Sequence, residues 1–365
     1  VDGSELSDQI YPLIFELHKI SPGLLLKVLP NICVQLQAEE EDVRLKAVKL
    51  LGRLFASQHA EYGTEFARNF KDLLGRFKDV SPAVRLEMVE NCSLIMKRKP
   101  SLRQNVEDLL VLRLRDPERD VRHSALMRLV EVAQEEPLVL SAASYAEMGE
   151  RLKDRKADIR KAAMVGLAKI YSRNVAVLFP RVDHEAVRRS GGDAAQYMPT
   201  ALWTRLSFVP AAIVNSWGYP DLANRHVVLQ LLQEYILPKR LANEDDGDDG
   251  GASSGKRDRA EQQSGDTKAS PRATALLAAF SSMTETEREL LGAILAYKSK
   301  VRSAVVTFLD ARTAAAKTGN PGDDISVKRA MHALNKVLPW KDVGGDRKTQ
   351  LLSRLLECKD KNVFR

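Results

Sequence analysis

Three stretches of this chain open in the same way. "DVSPAVRLEMVENC" from Asp79, "DPERDVRHSALMRL" from Asp116 and "DRKADIRKAAMVGL" from Asp154 each place an aspartate six residues before an arginine and then run into an apolar-periodic helix. A fourth Val-Arg pair heads "VRLKAVKLLGRLF". The arginines Arg44, Arg85, Arg122 and Arg160 stand 41, 37 and 38 residues apart. A spacing near 40 residues is the period of paired-helix repeats. It constrains the fold more than any single motif, because a unit of two amphipathic helices cannot bury its apolar face alone and must stack on a neighbour.

The expected fold class is therefore all-α, an α-solenoid of HEAT repeats built from stacked antiparallel helical hairpins. "FARNFKDLLGRF", "VEDLLVLRLR" and "SYAEMGERLK" read as first helices. The second helices begin at the Val/Ile-Arg pairs. In the earliest, Val43, Ala47, Leu50, Leu51, Leu54 and Phe55 recur at helical spacing. Ser81-Pro82 fits an N-cap followed by proline at the first helical position. Ser144 with Glu147, and Thr284 with Glu287, fit capping boxes. The pairs Asp79 and Arg85, Asp116 and Arg122, and Asp154 and Arg160 resemble the ladder of HEAT proteins. There, polar groups meet along the edge where turns stack, and a planar guanidinium bridges carboxylates with fixed geometry. The first unit departs from the pattern: Ala38 stands six before Arg44, and Pro30 stands where the HEAT pattern often carries a kinking proline.

Four regular units are expected within 1–180. Residues 181–242 read as further irregular helical repeats, with "MPTALWTRLSFVPAAIVNSW" as one helix and "DLANRHVVLQLLQEYILP" as another. Residues 243–272 are acidic, then Gly/Ser-rich, then of mixed charge, a composition that predicts a disordered loop. Helical patterns resume over 273–365, where "RELLGAILAY", "VRSAVVTFLDARTAA", "VKRAMHALNKVL" and "KTQLLSRLLECK" are read as separate helices.

The composition agrees with a helical array. Apolar residues are 44% of the chain but aromatics only 6%. The 56 basic and 49 acidic residues leave a net charge of +7. Read along the sequence, the positive residues are spread over many helices and no aromatics interleave with them to stack bases. Cys33, Cys92 and Cys358 are odd in number and far apart, which argues for a reducing compartment and against a disulfide scaffold or zinc ribbon. No apolar run approaches the roughly 18 residues that span a bilayer, and no signal peptide is read at the start. The absence of an initial Met fits a piece of a longer protein.

Chemistry-bearing motifs are missing. The histidines form no HExxH or His/Cys/Asp cluster. Gly250, Gly255 and Lys256 nearly write a phosphate loop, but Arg257 replaces the Ser/Thr and no strand precedes it. No cofactor and no catalytic activity are expected. A stacked array of this kind presents a long face for other proteins.

"YPLIFELHKISPGLLLKVLPNICVQLQ" (11–37), "VRLKAVKLLGRLF", "LGRFKDVSPAVRLEMV", "RDPERDVRHSAL" and "IRKAAMVGLAKIY" occur in one order over residues 11–175. In that order they resemble the central part of the precocious-dissociation-of-sisters family, HEAT-repeat regulators of cohesin. The resemblance implies a curved, non-catalytic solenoid in the nucleus, associated with chromatin through cohesin and not with membranes. It also implies the partners: the kleisin subunit of cohesin, the wings-apart-like release factor and the cohesin acetyltransferase. Some members bind a highly phosphorylated inositol; no residues here are matched to that pocket. The alternatives are another HEAT scaffold, such as a nuclear-transport receptor or phosphatase regulatory subunit, and a solenoid that binds DNA directly. Candidate partner-binding residues are the basic positions on second helices, Lys46, Lys49, Arg53, Lys161 and Lys169, which suit an acidic, partly apolar peptide.

Overall fold

The computed structural model describes residues 3–21, 23, 25–58, 62–178, 200–219, 222–237, 276, 279–280, 282–317 and 325–337. Among these the chain is all helical, with no strand. Helix α1 (Gly3–Ile20) leads into α2 (Leu25–Val34) and α3 (Glu41–Phe55). A single turn, α4 (Tyr62–Glu65), precedes α5 (Ala67–Gly75) and α6 (Pro82–Arg98). The next two pairs are α7 (Arg103–Arg113) with α8 (Arg119–Glu135), and α9 (Ala142–Glu150) with α10 (Ala157–Leu178). Beyond them lie α11 (Thr200–Leu206), α12 (Val209–Asn215), α13 (Leu222–Leu231), α14 (Glu285–Lys317) and α15 (Ile325–Val337).

The second helices stack in sequence, α3 on α6, α6 on α8 and α8 on α10. Their apolar stripes are fully enclosed: Leu51 and Leu54, Met88 and Cys92, Leu126 and Leu129, and Met164 and Leu167 are all within 1% of complete burial. Each such side chain contributes roughly 1.5–3 kcal/mol relative to exposure. Two glycines let neighbouring helices come close. A Cβ on Gly52 would lie 2.4 Å from Cγ of Asn91, and one on Gly166 would lie 2.5 Å from a methyl of Val130. Asn91, Cys92 and Ser93, which together write a glycosylation sequon, are all buried in this interface.

One apolar core runs from Leu29 through Ile294. A second, smaller core joins the far half of α14 to α15 through Val305, Phe308, Leu309, Val327, Ala330 and Leu334. Helix α14 belongs to both.

Several sequence expectations change. The cap of α9 is Ser141, whose hydroxyl accepts from the Ser144 N–H at 3.2 Å. Ser144 and Glu147 make no capping box: Ser144 is buried against Glu107, and Glu147 pairs with Arg115 of the preceding unit. A carboxylate from the neighbouring repeat has taken the role of the local one. Residues 200–215 form two helices instead of one, because Pro210 sits in the first turn of α12 and cannot donate to a continuing helix. Helix α13 ends in a π-helical turn, Leu232–Ile236. "RELLGAILAY" and "VRSAVVTFLDARTAA" lie on the single 33-residue helix α14; nothing between them breaks a helix, and Thr284 and Glu287 cap its start reciprocally. The stretches 243–272 and 348–359 and Trp340 lie outside the described residues.

Gly166→Ala should destabilise the chain. Alanine gains up to about 1 kcal/mol of helix propensity, but overpacking against a β-branched neighbour costs roughly 1–3 kcal/mol. Gly292→Ala on α14, where a Cβ meets nothing within 4 Å, should raise stability by up to about 1 kcal/mol. Thermal melts of the two variants should move in opposite directions.

Candidate functional site: the turn ladder and the second-helix face

The turns of the four units share one backbone geometry. The N–H of Ala38, Asp79, Asp116 and Asp154 donates to the carbonyl three residues earlier, at Gln35, Arg76, Arg113 and Arg151 respectively, over 3.1–3.2 Å. Ala38, Asp79 and Asp154 then leave the turn with nearly identical angles, φ −61 to −57 and ψ 145 to 148. Aspartate is suited to this position because its carboxylate also accepts from the N–H two residues on. Ser81, Glu118 and Lys156 donate to Asp79, Asp116 and Asp154 at 2.9, 3.0 and 2.9 Å.

The guanidinium of each second helix reaches across to the next unit. Arg44 donates through Nε and Nη2 to both oxygens of Asp79 at 3.0 and 3.1 Å. Arg85 holds Asp116 at 2.9 and 2.9 Å, and Arg122 holds Asp154 at 3.1 and 3.3 Å. Within its own unit, each arginine turns Nη1 onto two turn carbonyls. Arg85 donates to Asp79 and Val80 at 2.9 and 3.2 Å, and Arg122 to Asp116 and Pro117 at 2.8 and 3.0 Å. Arg160 repeats this with Asp154 and Arg155 at 2.9 and 3.4 Å, and its guanidinium lies over the Tyr219 ring at 4.9 Å. Thus the aspartate and arginine six apart in sequence meet through a backbone carbonyl, while the carboxylate pairs with the preceding unit. This explains Ala38. Arg44 needs only carbonyls from its own turn, and takes them from Ala38 and Glu39 at 2.8 and 2.7 Å.

A second arginine was missed in the sequence reading. Arg76 and Arg113 donate to Asp79 and Asp116 at 3.1 and 3.0 Å, and Arg151 lies 3.7 Å from Asp154. Its signal was an arginine three residues before each aspartate, in "RFKD", "RLRD" and "RLKD". Burial alone would raise the Asp79 carboxyl. Hydrogen bonds from Arg44 and the Ser81 N–H, with the charges of Arg44 and Arg76, outweigh burial and hold it below the ordinary carboxylate range. Asp116 is lowered in the same manner against burial by Arg85, the Glu118 N–H and Arg113.

The five candidate partner-binding residues do not form one cluster. Lys46, Lys49 and Arg53 lie on α3, Lys161 and Lys169 on α10, with α6 and α8 between. At about 9 Å per helix spacing, the two groups are roughly 25–30 Å apart. Lys46 is half-buried and pairs with Asp42 at 2.8 Å, and Arg53 lies over the Phe15 ring at 3.8 Å. Lys49 and Lys161 are exposed and Lys169 is half-buried. In the repeat register, the positions of Lys49 and Arg53 are taken by Glu90 and Leu94 on α6, Met127 and Glu131 on α8, and Val165 and Lys169 on α10. Lys97 bridges Glu131 and Glu135 at 2.7 and 2.6 Å, and Arg128 reaches Glu131 at 2.7 Å. The face is therefore basic, then acidic and apolar, then basic again. Leu94 and Met127 stay 36% and 37% exposed in its middle.

An opening of about 630 Å³ lies where the ladder ends, lined by Gly149, Leu152, Phe208, Ala212, Tyr219 and Glu287 among others. Its Glu287 is engaged by the Thr284 N–H and by Asn215 at 2.8 and 2.7 Å. Among the described residues no group of three His, Cys, Asp or Glu side chains is placed to hold a metal, and no helix is long and apolar enough to cross a membrane. Trp203 and Trp217 are half-buried against the core, Trp217 edge-on to Tyr297 at 5.6 Å.

Arg122→Ala should cost roughly 3–5 kcal/mol, because it strands a buried carboxylate. Arg122→Lys should recover little, since an ammonium cannot reproduce four hydrogen bonds in fixed directions. Chemical denaturation of both variants checks this. The depressed carboxyls of Asp79 and Asp116 stabilise the fold above the ordinary aspartate value of about 3.9, and that contribution is lost as pH falls through their lower folded values. Melting temperature should therefore drop steeply below about pH 4. An Asp79→Asn/Asp116→Asn variant should start lower at neutral pH and show a shallower acid slope.

The chain has relatives of known identity. The family model for sister chromatid cohesion protein PDS5 matches residues 2–365. Sister chromatid cohesion protein PDS5 homolog B of Mus musculus is 29% identical over 238 residues, 65% of this chain and 15% of that protein. PDS5 homolog A of Gallus gallus is 27% identical over 242 residues, 66% of this chain and 17% of that protein. The chain thus aligns with only about a sixth of the length of these relatives. A chain in the solved structure of the Pds5-Scc1 complex superposes with a TM-score of 0.74 at 19% identity, over 99% of this chain and 48% of that one, which shows a shared fold.

Proposed function

The chain belongs to the PDS5 family of sister chromatid cohesion proteins, and on that premise we propose that it is a non-catalytic scaffold that regulates cohesin on chromosomes in the nucleus by binding the kleisin subunit. The observation that carries the reading is the family match along nearly the whole chain. It displaces the transport-receptor and phosphatase-subunit alternatives. The wings-apart-like release factor and the cohesin acetyltransferase are the further partners of this reading, engaged by the longer protein of which this chain matches a part. The regular units within 1–180 carry the docking face, and those within 181–242 and 273–365 extend the array.

The face of second helices has the dimensions for an extended segment. Crossing from Lys49 on α3 to Lys169 on α10, roughly 25–30 Å, takes about eight residues at 3.3–3.6 Å each. The charge pattern asks for acidic residues near both ends of the segment and apolar side chains between them, over Leu94 and Met127. The structurally related Pds5-Scc1 complex supports the choice of kleisin as occupant.

Binding of kleisin segments to this chain, followed by fluorescence anisotropy, tests the proposal. Lys49→Glu/Arg53→Glu should weaken binding about tenfold or more through reversed electrostatics, while the lost contact of Arg53 with Phe15 costs only about 0.5–1 kcal/mol of stability. Wild-type affinity in the double variant would move the contact off this face.

A further inference from the structure

Basic residues crowd into one hairpin, over residues 298–337. Residues 285–297 of α14 carry Glu285, Glu287 and Glu289 against Arg288. From Lys298 onward α14 carries five basic residues against Asp310, and α15 adds Lys328, Arg329 and Lys336 with no acidic residue. These helical stretches hold eight basic residues and one acidic one, a net +7. Counting Asp323 and Asp324 between the two helices, residues 298–337 carry +5, and the whole of α14 to α15 with its acidic start carries +3.

The charges are presented in order. Helix α15 turns Val327, Ala330 and Leu334 into the second core. Its other side exposes Lys328, Arg329, His332 and Lys336. Arg329, His332 and Lys336 are three and four residues apart, so they line one face over about 10 Å. Lys300 and Arg302 are exposed on α14. The chemistry of the surface selects among polyanions. Phe308 is 1% exposed and Tyr297 packs edge-on to Trp217, so the ring presented beside the basic residues is the imidazole of His332. An acidic peptide draws most of its affinity from buried side chains, whereas this stripe presents Arg329, His332 and Lys336. Cations spaced along a helix face match the phosphates of a duplex, whose neutralisation needs no base contact.

We propose that the α14–α15 hairpin binds the phosphate backbone of duplex DNA without regard to sequence. The surface is separate from the second-helix face of α3 to α10. It would let a cohesin-associated scaffold touch the chromosome directly.

Anisotropy of the 365-residue chain with a fluorescein-labelled duplex of about 30 base pairs tests the proposal. With about four phosphate contacts, affinity should fall roughly 100-fold between 50 and 200 mM salt. Lys300→Glu/Arg329→Glu/Lys336→Glu should weaken duplex binding at least tenfold and flatten the salt slope, with an unchanged melting curve. Should that variant unfold, the glutamine triple variant at the same positions carries the test. Lys49→Glu/Arg53→Glu should keep wild-type duplex affinity, and the hairpin variant should keep kleisin binding, so failure here is distinguishable from failure of the cohesin reading. Unchanged duplex affinity and slope in a folded hairpin variant would overturn the proposal. So would absent duplex binding at 50 mM salt, or displacement of the duplex by polyglutamate at lower charge concentration than by unlabelled DNA.

Discussion

Each turn arginine holds two repeats at once, and the array depends on that. Arg85 binds its own turn through two carbonyls and the next turn through both oxygens of Asp116. A guanidinium can do this because its donors point in fixed, coplanar directions, two toward the carboxylate and two toward the peptide groups. Apolar packing between second helices supplies most of the stabilisation, but it is tolerant of sliding. The bidentate pair is not, so it sets the register between one hairpin and the next. Buried ion pairs contribute more to specificity than to net stability in several systems. The turns illustrate the reason: in any other register the buried carboxylates of Asp79, Asp116 and Asp154 would lose the guanidinium of the preceding unit.

That geometry divides the basic residues into two populations. Arg44, Arg85, Arg122 and Arg160 are 9% exposed or less and are occupied by carboxylates, carbonyls or a ring. Lys49 and Lys161 on second helices, and Lys300, Arg329 and Lys336 on the α14–α15 hairpin, are exposed. A solenoid with fixed internal arginines can vary its outer charges without disturbing the stack, because the two sets lie on different sides of each helix. The alternation along the second-helix face is an outcome of this freedom. Lys49, Glu90, Met127 and Val165 occupy one repeat position yet differ in charge and polarity.

Where the regular units end, the means of holding neighbours changes. Tyr219 lies over the last guanidinium from the turn position that an aspartate holds in the earlier units. Asn224 donates to the Ser216 carbonyl at 2.6 Å, and Arg205 to the Leu140 carbonyl at 2.7 Å across 65 residues. Side chain–backbone bonds of this kind tie irregular turns that lack a repeating motif, and α14 then carries the chain from the main core to a second one.

Much of this was legible in the order of residues. Period, helix pairing and the apolar stripes follow from spacing, because a helix face is a fixed function of position. Ser81-Pro82 and Thr284 with Glu287 could be read as caps because their hydrogen bonds are local. What failed was whatever a distant residue decides. Ser144 looked like a cap until Glu107 of the preceding unit claimed it. The five candidate cations looked like one set until stacking put two helices between them. The cations of residues 298–337 looked dispersed until α14 and α15 packed together. Sequence alone determined that this protein is a stack of helical hairpins with polar turns, since those interactions span a few residues. Tertiary structure alone decided which carboxylate each arginine meets and which outward charges lie side by side, because those depend on distances between units that no local spacing encodes.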